Sequence, residues 1–188
     1  MSYGFYGTYR YTLDDKGRLT MPAPLRDPVP AGPDGTKQYF LARWRQWCIA
    51  AFGGAGWEKV VEQLEDLSLP ERDKLARAFF SGVYPVSPDA QGRVLVPDEL
   101  RTHAGIQAKG EVVIVGVHNR IEIWEPARWS LYQATDLASY DEPDIDRLLA
   151  DPGIVRHRGK ITATIGNAQA VLAMHDDGTS LSEIVWSF

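Results

Sequence analysis

The sequence predicts an α+β protein: two copies of a β-rich unit with short helices, followed by a helical C-terminal segment. Three observations carry this reading. The stretch YRYTLDDKGRLTMPAPLR, from Tyr9 to Arg26, returns from Tyr84 to Arg101 as YPVSPDAQGRVLVPDELR, at a constant offset of 75 residues. After each copy come two short apolar or alternating runs, the pattern of buried and half-buried strands. The last 50 or so residues repeat neither copy and carry apolar residues at helical spacing instead.

The elements follow in order. Within each copy a strand (Phe5 to Leu13, or Gly82 to Val86) runs into a polar turn that contains Gly17 or Gly92. Glycine supplies the positive φ that a tight reversal needs. A second strand, RLTM or RVLV, ends at Pro22 or Pro97, and the proline opens a short helix. A strand pair comes next: YFLARW with CIAAF in the first copy, EVVIVGV with RIEIW in the second. The repeat resumes here with an offset of 72, matching Phe52 to Trp124 and Trp57 to Trp129. Trp57, Val60, Val61, Leu64 and Leu67 then fall on one helical face. Ser68, Pro70 and Glu71 mark the start of a second helix that reaches Phe80. In the second copy Pro126 starts the helix that carries Trp129 and Tyr132. In the tail, DEPDIDRLLADPG reads as a short helix that DPG ends. RHRGKITATIGNAQAVLAMH reads as a longer one through Ile161, Ile165, Ala168, Val171 and Leu172, and TSLSEIVWSF as the start of a third. The expected domains are 1–78, 79–134 and 135–188.

Composition narrows the function class. With 44% hydrophobic and 11% aromatic residues the chain is an ordinary globular protein. Its longest apolar runs, such as VVIVGV, are too short to span a bilayer, and no charged n-region precedes a hydrophobic stretch at the start. Neither a membrane partner nor a signal peptide is expected. A single cysteine, Cys48, suits a reducing compartment, and four scattered histidines offer no metal-ligand spacing. No metal or cofactor is expected. The net charge of −5 does not exclude DNA, because all of it lies beyond residue 134: nine Asp and Glu face four Lys and Arg there. Within the first 26 residues Arg10, Lys16, Arg18 and Arg26 outnumber Asp14 and Asp15. Phosphate attraction acts through such local patches.

The motifs LDDKGRLTMP and PDAQGRVLVP, with FFSG before the second copy and GVHNRIEIW after it, resemble the MraZ family of bacterial transcriptional regulators. That family carries two tandem SpoVT-AbrB-type units, each with an Asp-x-x-x-Arg signature. The signature stands here as Asp14/Arg18 and Asp89/Arg93. The resemblance implies a swapped-hairpin fold in which the two units pack as a pseudo-dimer. It also implies assembly into a ring of eight or more copies, and binding to direct repeats in the promoter of the division and cell-wall gene cluster. A cytoplasmic, nucleoid-associated protein follows. One departure is that Pro24 and Pro28 shorten the helix after the first turn.

The residues suit that work. An Arg or Lys on a turn meets phosphates or guanine edges, and glycine lets the backbone come close. The expected DNA contacts are Arg10, Lys16, Arg18 and Arg93. For Arg93, which has no adjacent Lys, an ion pair within or between subunits is an equal alternative. Asp14, Gly17, Asp89 and Gly92 are read as the structural part of the motif, since a carboxylate facing phosphate repels it and serves better by orienting its arginine. Arg26 and Arg101 are read as solvated helix residues making salt bridges. Trp57, Trp124 and Trp129 are read as core or interface residues.

The tail, from Asp141 to Phe188, resembles part of the type I 3-methyladenine DNA glycosylase family through DPGI, KITATI, NA and VWSF; His157, Gly159 and Gly166 depart from it. The upstream region that holds the flipped base and the zinc-binding residues has no counterpart here. Three helices cannot build the stacking pocket that base flipping needs. No catalytic residue is carried over and no enzyme is expected. A third class, an AbrB-like antitoxin or partner-binding module, would carry a tail that stays disordered until bound. This tail is patterned as helix.

Overall fold

Residues 4–32, 35–65, 68–151 and 156–178 are described by a computed structural model, in which the chain divides into two compact units, Met1–Pro126 and Ala127–Phe188. In the first unit strands alternate with short helices: β1 Thr8–Thr12, β2 Arg18–Thr20, α1 Ala23–Arg26, β3 Tyr39–Arg43, β4 Ile49–Gly53, α2 Gly54–Glu65, α3 Leu69–Phe80, β5 Val83–Val86, β6 Arg93–Leu95, α4 Asp98–Ala104, β7 Glu111–Val117 and β8 Arg120–Trp124. The class is α+β. β1 is shorter than its sequence pattern suggests because Gly7, at φ +91°, kinks the chain; Gly7 O still accepts from Gly116 N at 2.8 Å, and Phe5 bridges to His118. α1 has four residues against seven in α4, as its prolines predict.

Six strands form one antiparallel sheet in the order β1-β7-β8-β4-β3-β5. The order is a palindrome of the two copies. β1 of the first copy pairs with β7 of the second, Tyr9 opposite Ile114, while β5 of the second pairs with β3 of the first, Tyr84 opposite Leu41. The copies have exchanged their leading strands. Between β4 and β8 the pseudo-dyad passes at Ala50 opposite Glu122, an offset of 72. Leu41 and Ile114 are 73 apart, so the repeat shifts by one residue within the hairpin. The first copy crosses there by a 3-10 turn at Arg45–Trp47, the second by His118 and Asn119.

The remaining two strands form a separate ladder that shows the same dyad. β2 and β6 run antiparallel with Arg18 opposite Leu95, Leu19 opposite Val94 and Thr20 opposite Arg93. Leu19 and Val94 are equivalent residues, 75 apart, so the axis runs between them. Both are fully buried and join one core with Leu13, Met21, Leu25, Leu41, Val96, Leu100 and Ile114. The apolar runs of β4 and β7 are explained by this core: every residue of β4 is buried, as are Val112 to Val115 in β7. On α2, Trp57 stacks on Phe40 at 4.7 Å and meets Phe79 and Phe80 of α3. The Leu64 side chain, Leu67 and the Glu71 side chain of the expected cap lie outside the described residues. Ser68 stands at the N-cap of α3.

Among the described residues three further helices follow: α5 Pro126–Ala138, which begins at the last residue of the first unit, and, in the second unit, α6 Glu142–Ala150 and α7 Arg158–Asp176. α6 opens with a capping box in which Asp144 N donates to Asp141 Oδ1 at 3.2 Å and Asp141 N to Asp144 Oδ2 at 3.4 Å. Ile145, Ile161 and Ile165 make a small core with Tyr140, Leu148 and Leu149, and Arg158 bridges to Glu142 and Asp146. The expected third helix, with Ile184, Val185, Trp186 and Phe188, lies outside the described residues.

Leu19 lies against the axis that both copies share, opposite Val94, so Leu19→Ala opens a cavity in the core to which both copies contribute. We expect a loss of about 2–5 kcal/mol, the usual range for a buried Leu truncation, measured by equilibrium denaturation.

Candidate nucleic-acid interface

Each polar turn is built by its own aspartate. Asp14 Oδ1 accepts from the backbone N–H groups of Lys16 at 2.9 Å and Arg18 at 2.8 Å. Asp89 Oδ1 does the same for Gln91 and Arg93, both at 2.9 Å. Asp favours this arrangement because its short side chain can mimic a backbone turn. Gly17 and Gly92 take φ +73° and +75°, where a Cβ would be strained. The sequence thus folds locally for the same reason twice.

The second carboxylate oxygen faces the arginines. Arg18 Nε donates to Asp14 Oδ2 at 2.7 Å, and Arg93 Nε donates to Asp89 Oδ2 at 2.9 Å, with Nη2 ion-paired to the same oxygen at 2.8 Å. Because β2 and β6 lie side by side, each arginine also reaches the other copy's aspartate. Arg18 Nη1 lies 3.8 Å from Asp89 Oδ2, and Arg93 Nη1 lies 3.8 Å from Asp14 Oδ2. Four charges close into a ring about the pseudo-dyad. All four side chains remain partly open to solvent, the arginines at 28% and 27%. Hydrogen bonds hold both carboxyls ionised. The Arg18 backbone N–H is the main cause for Asp14, whose pKa is lowered, and the Arg93 side chain for Asp89, whose pKa falls to about 2.

The turns are also exchanged at the backbone. Val96 N donates to Gly17 O at 3.0 Å, and Met21 N donates to Gly92 O at 3.2 Å. Arg101 of the second copy lies over the first turn, so that a Cβ on Gly17 would meet its Nε at 3.0 Å. Arg26 of the first lies over the second, 2.7 Å from a Cβ on Gly92. Both make the expected salt bridges, but each is also packed over the opposite turn rather than simply solvated. Arg101 is only 15% exposed, donates from Nε to Val96 O and pairs with Asp98, while Arg26 pairs with Asp27 at 3.2 Å. The i to i+4 pairs were readable from spacing. The crossing was not, since it depends on which copy's strand lies alongside.

The other expected contacts are more dispersed. Lys16 is exposed at the tip of the first turn. Arg10 stands on β1, outside the ring, and pairs with Glu111 of β7 at 3.5 Å. Sequence reasoning also passed over Glu122, the one buried charged residue among the described residues. It accepts from Arg120 at 2.9 and 2.6 Å and from Trp124 Nε1 at 3.1 Å, and Arg120 lies over the Trp44 ring. Strand alternation conceals it, because RIEIW places Glu on the face opposite the two isoleucines, where a solvated side chain is expected. Among the described residues no group of three His, Cys, Asp or Glu could hold a metal, and no helix is long and apolar enough to cross a membrane.

Comparison with known proteins bears on this geometry directly. The model of the MraZ protein family, described as antitoxin-like, matches twice, over residues 5–78 and 79–150. The chain belongs to the MraZ family. Among its curated relatives is the transcriptional regulator MraZ of Thermus thermophilus, 42% identical over 126 residues, which cover 66% of this chain and 83% of that protein. The MraZ of Deinococcus radiodurans is 38% identical over 142 residues, 74% of this chain and 94% of its own. That of Micrococcus luteus is 37% identical over 152 residues, 80% and 99%. The methyladenine glycosylase family model matches residues 119–188, overlapping the second MraZ match. The tandem MraZ matches, one per copy, agree with the palindromic sheet.

The depressed carboxyl of Asp89 ties stability to acid. Its ordinary value is 3.8, so its contribution is fully present above that pH and is lost as pH falls through about 2. Asp89→Asn should flatten the loss of unfolding free energy across that window, and urea denaturation at a series of acidic pH values would show it.

Proposed function

We propose that this chain is a DNA-binding transcriptional regulator that docks the ring of Asp14, Arg18, Asp89 and Arg93 against double-stranded DNA. The observation that supports this most is the state of the two arginines. Each is held by carboxylates on one side, which lowers the entropy cost of positioning a long side chain, and each side chain stays partly open to solvent. A guanidinium carries five N–H donors, and the ion pairs occupy only some of them. The rest can reach phosphate or the O6 and N7 edge of guanine. Lys16, and Arg10 once released from its exposed pair with Glu111, add positive charge around the first turn. The MraZ relatives carry the name transcriptional regulator.

The ring of charges is neutral in sum, so one subunit attracts DNA weakly. Affinity then depends on repetition. We propose a homo-oligomeric ring of eight or more copies that meets direct repeats in the promoter of the division and cell-wall gene cluster, each site raising the local concentration for the next. The domains are 1–78 and 79–134 for the two SpoVT-AbrB-type units and 135–188 for the tail, and the protein works in the cytoplasm at the nucleoid. Arg18→Ala should lower affinity for a tandem-repeat promoter fragment at least tenfold, about 1.4 kcal/mol, while the mass of the assembled particle stays the same. Loss of binding through loss of assembly would count against direct contact. Both follow from mass photometry and gel shift on the same sample.

A second reading is favoured by the glycosylase match over residues 119–188. The pocket that would grip a flipped base needs stacking walls, and the matched segment supplies helices with a small aliphatic core. We propose that it lacks this activity. Purified protein incubated with methylated DNA should release no 3-methyladenine, and detectable release would restore the enzyme class.

A further inference from the structure

A face with two-fold symmetry has no direction. If the two turns were identical, a subunit could dock on a duplex in two orientations half a turn apart, with equal energy. The backbone is close to that limit. The aspartate bonds of the two turns agree within 0.1 Å, the glycine angles within 2°, and β2 pairs with β6 symmetrically about Leu19 and Val94. Two places break the symmetry: β1 carries Arg10, ion-paired with Glu111, where β5 carries Pro85, and the tips of the turns differ without any such pairing. The first turn exposes Asp15 and Lys16 where the second exposes Ala90 and Gln91.

We propose that the Lys16–Gln91 difference sets the direction in which each subunit reads the duplex, an assignment that rests on the DNA-binding reading above. The two side chains occupy equivalent places, since the backbone N–H of each donates to its own aspartate at 2.9 Å. Their chemistry is opposed. The ammonium of Lys16 is a point charge on a four-carbon stem that displaces a counterion from a phosphate. The Gln91 amide is neutral and carries both a donor and an acceptor, which suits a base edge such as the N6 and N7 of adenine. Asp15 works against Lys16, but its short side chain keeps the negative charge near the backbone while the lysine extends past it. One half of the face is thus a phosphate anchor and the other a neutral reader. Direction has a consequence for a ring. Rotation about a single axis gives every subunit of a cyclic assembly the same sense around the rim. A duplex following that rim then meets all subunits with one polarity, and its sites must be direct repeats. A symmetric face would accept repeats in either sense.

The test maps orientation directly. Cys48 is fully buried, and burial pushes its thiol pKa up, so an iron–EDTA reagent would attach only to an introduced cysteine. Ala90→Cys places it at the exposed tip of the second turn. The probe is a duplex long enough to meet several subunits, recovered from a random pool by selection with the unaltered protein, and cleavage is read at each protected site. We expect strand cleavage on one side of each site. Adding Lys16→Gln should bring cleavage on the two sides much closer to equal and reduce the salt dependence of binding by about one unit of slope for each subunit engaged. Exchanging the pair, Lys16→Gln with Gln91→Lys, should move cleavage to the opposite side, and Asp15→Ala should leave it one-sided. Tight binding with cleavage that stays one-sided in both Lys16 variants, or that is two-sided from the outset, overturns the assignment and leaves DNA binding standing. If selection recovers no duplex, the DNA-binding reading falls and the assignment with it.

Discussion

Neither half of the repeated unit can finish its own turn. The carbonyl of Gly17 is satisfied by Val96, that of Gly92 by Met21, and each arginine of the motif lies between an aspartate of its own copy and one of the other. The rest of the architecture depends on this mutual completion. Strand β2 has three residues and β6 has three, too few for either to persist alone. Paired about Leu19 and Val94 they close the core from one side, while the six-stranded sheet closes it from the other. Duplication of the motif is therefore a structural necessity before it is a functional one.

The same arrangement resolves the charge problem raised by the composition. Two carboxylates beside two guanidinium groups seem a poor surface for a polyanion. Yet hydrogen bonds from the backbone to Oδ1 and from the arginines to Oδ2 occupy both oxygens of each carboxylate. All four side chains stay partly open to solvent, and the same bonds fix where each guanidinium lies. Surface ion pairs contribute little to stability because solvent screens them and ordering costs entropy. Here their value is positional. The excess of negative charge in residues 135–188 resides in a separate unit, where Arg158 and Arg147 each pair with acidic neighbours.

Much of this was legible in the chain, and the boundary between what was and was not is physical. The turn, its glycine and the Asp-to-Arg pairing depend on residues within five positions of one another, and local chemistry decides them. The apolar runs of β4 and β7 announce buried strands for the same reason. The fold-level resemblance supplied the exchange of strands, but the sequence itself does not reveal which strand lies next to which. Cross-copy contacts are therefore invisible: Arg18 to Asp89, Arg93 to Asp14, and the placement of Arg26 and Arg101 over the opposite turns. The one-residue shift between β3 and β7 is hidden in a 3-10 turn where Trp47 adopts φ +60°. Glu122 was legible as strand but not as a buried acid, because burial on both faces of RIEIW depends on Arg120 folding back to meet it.

The exchanged leading strand has a consequence for the order of events during synthesis. β1 emerges from the ribosome first, yet its partner β7 follows about a hundred residues later. Until then its backbone groups must be held by water, and the hairpin of β3 and β4 has no neighbour on its other flank. Contacts so distant along the chain slow folding because the intervening loop must be closed before they form. A nascent chain of this kind waits for its second half, and a message cut short after the first would yield a product with open strand edges rather than a smaller working domain.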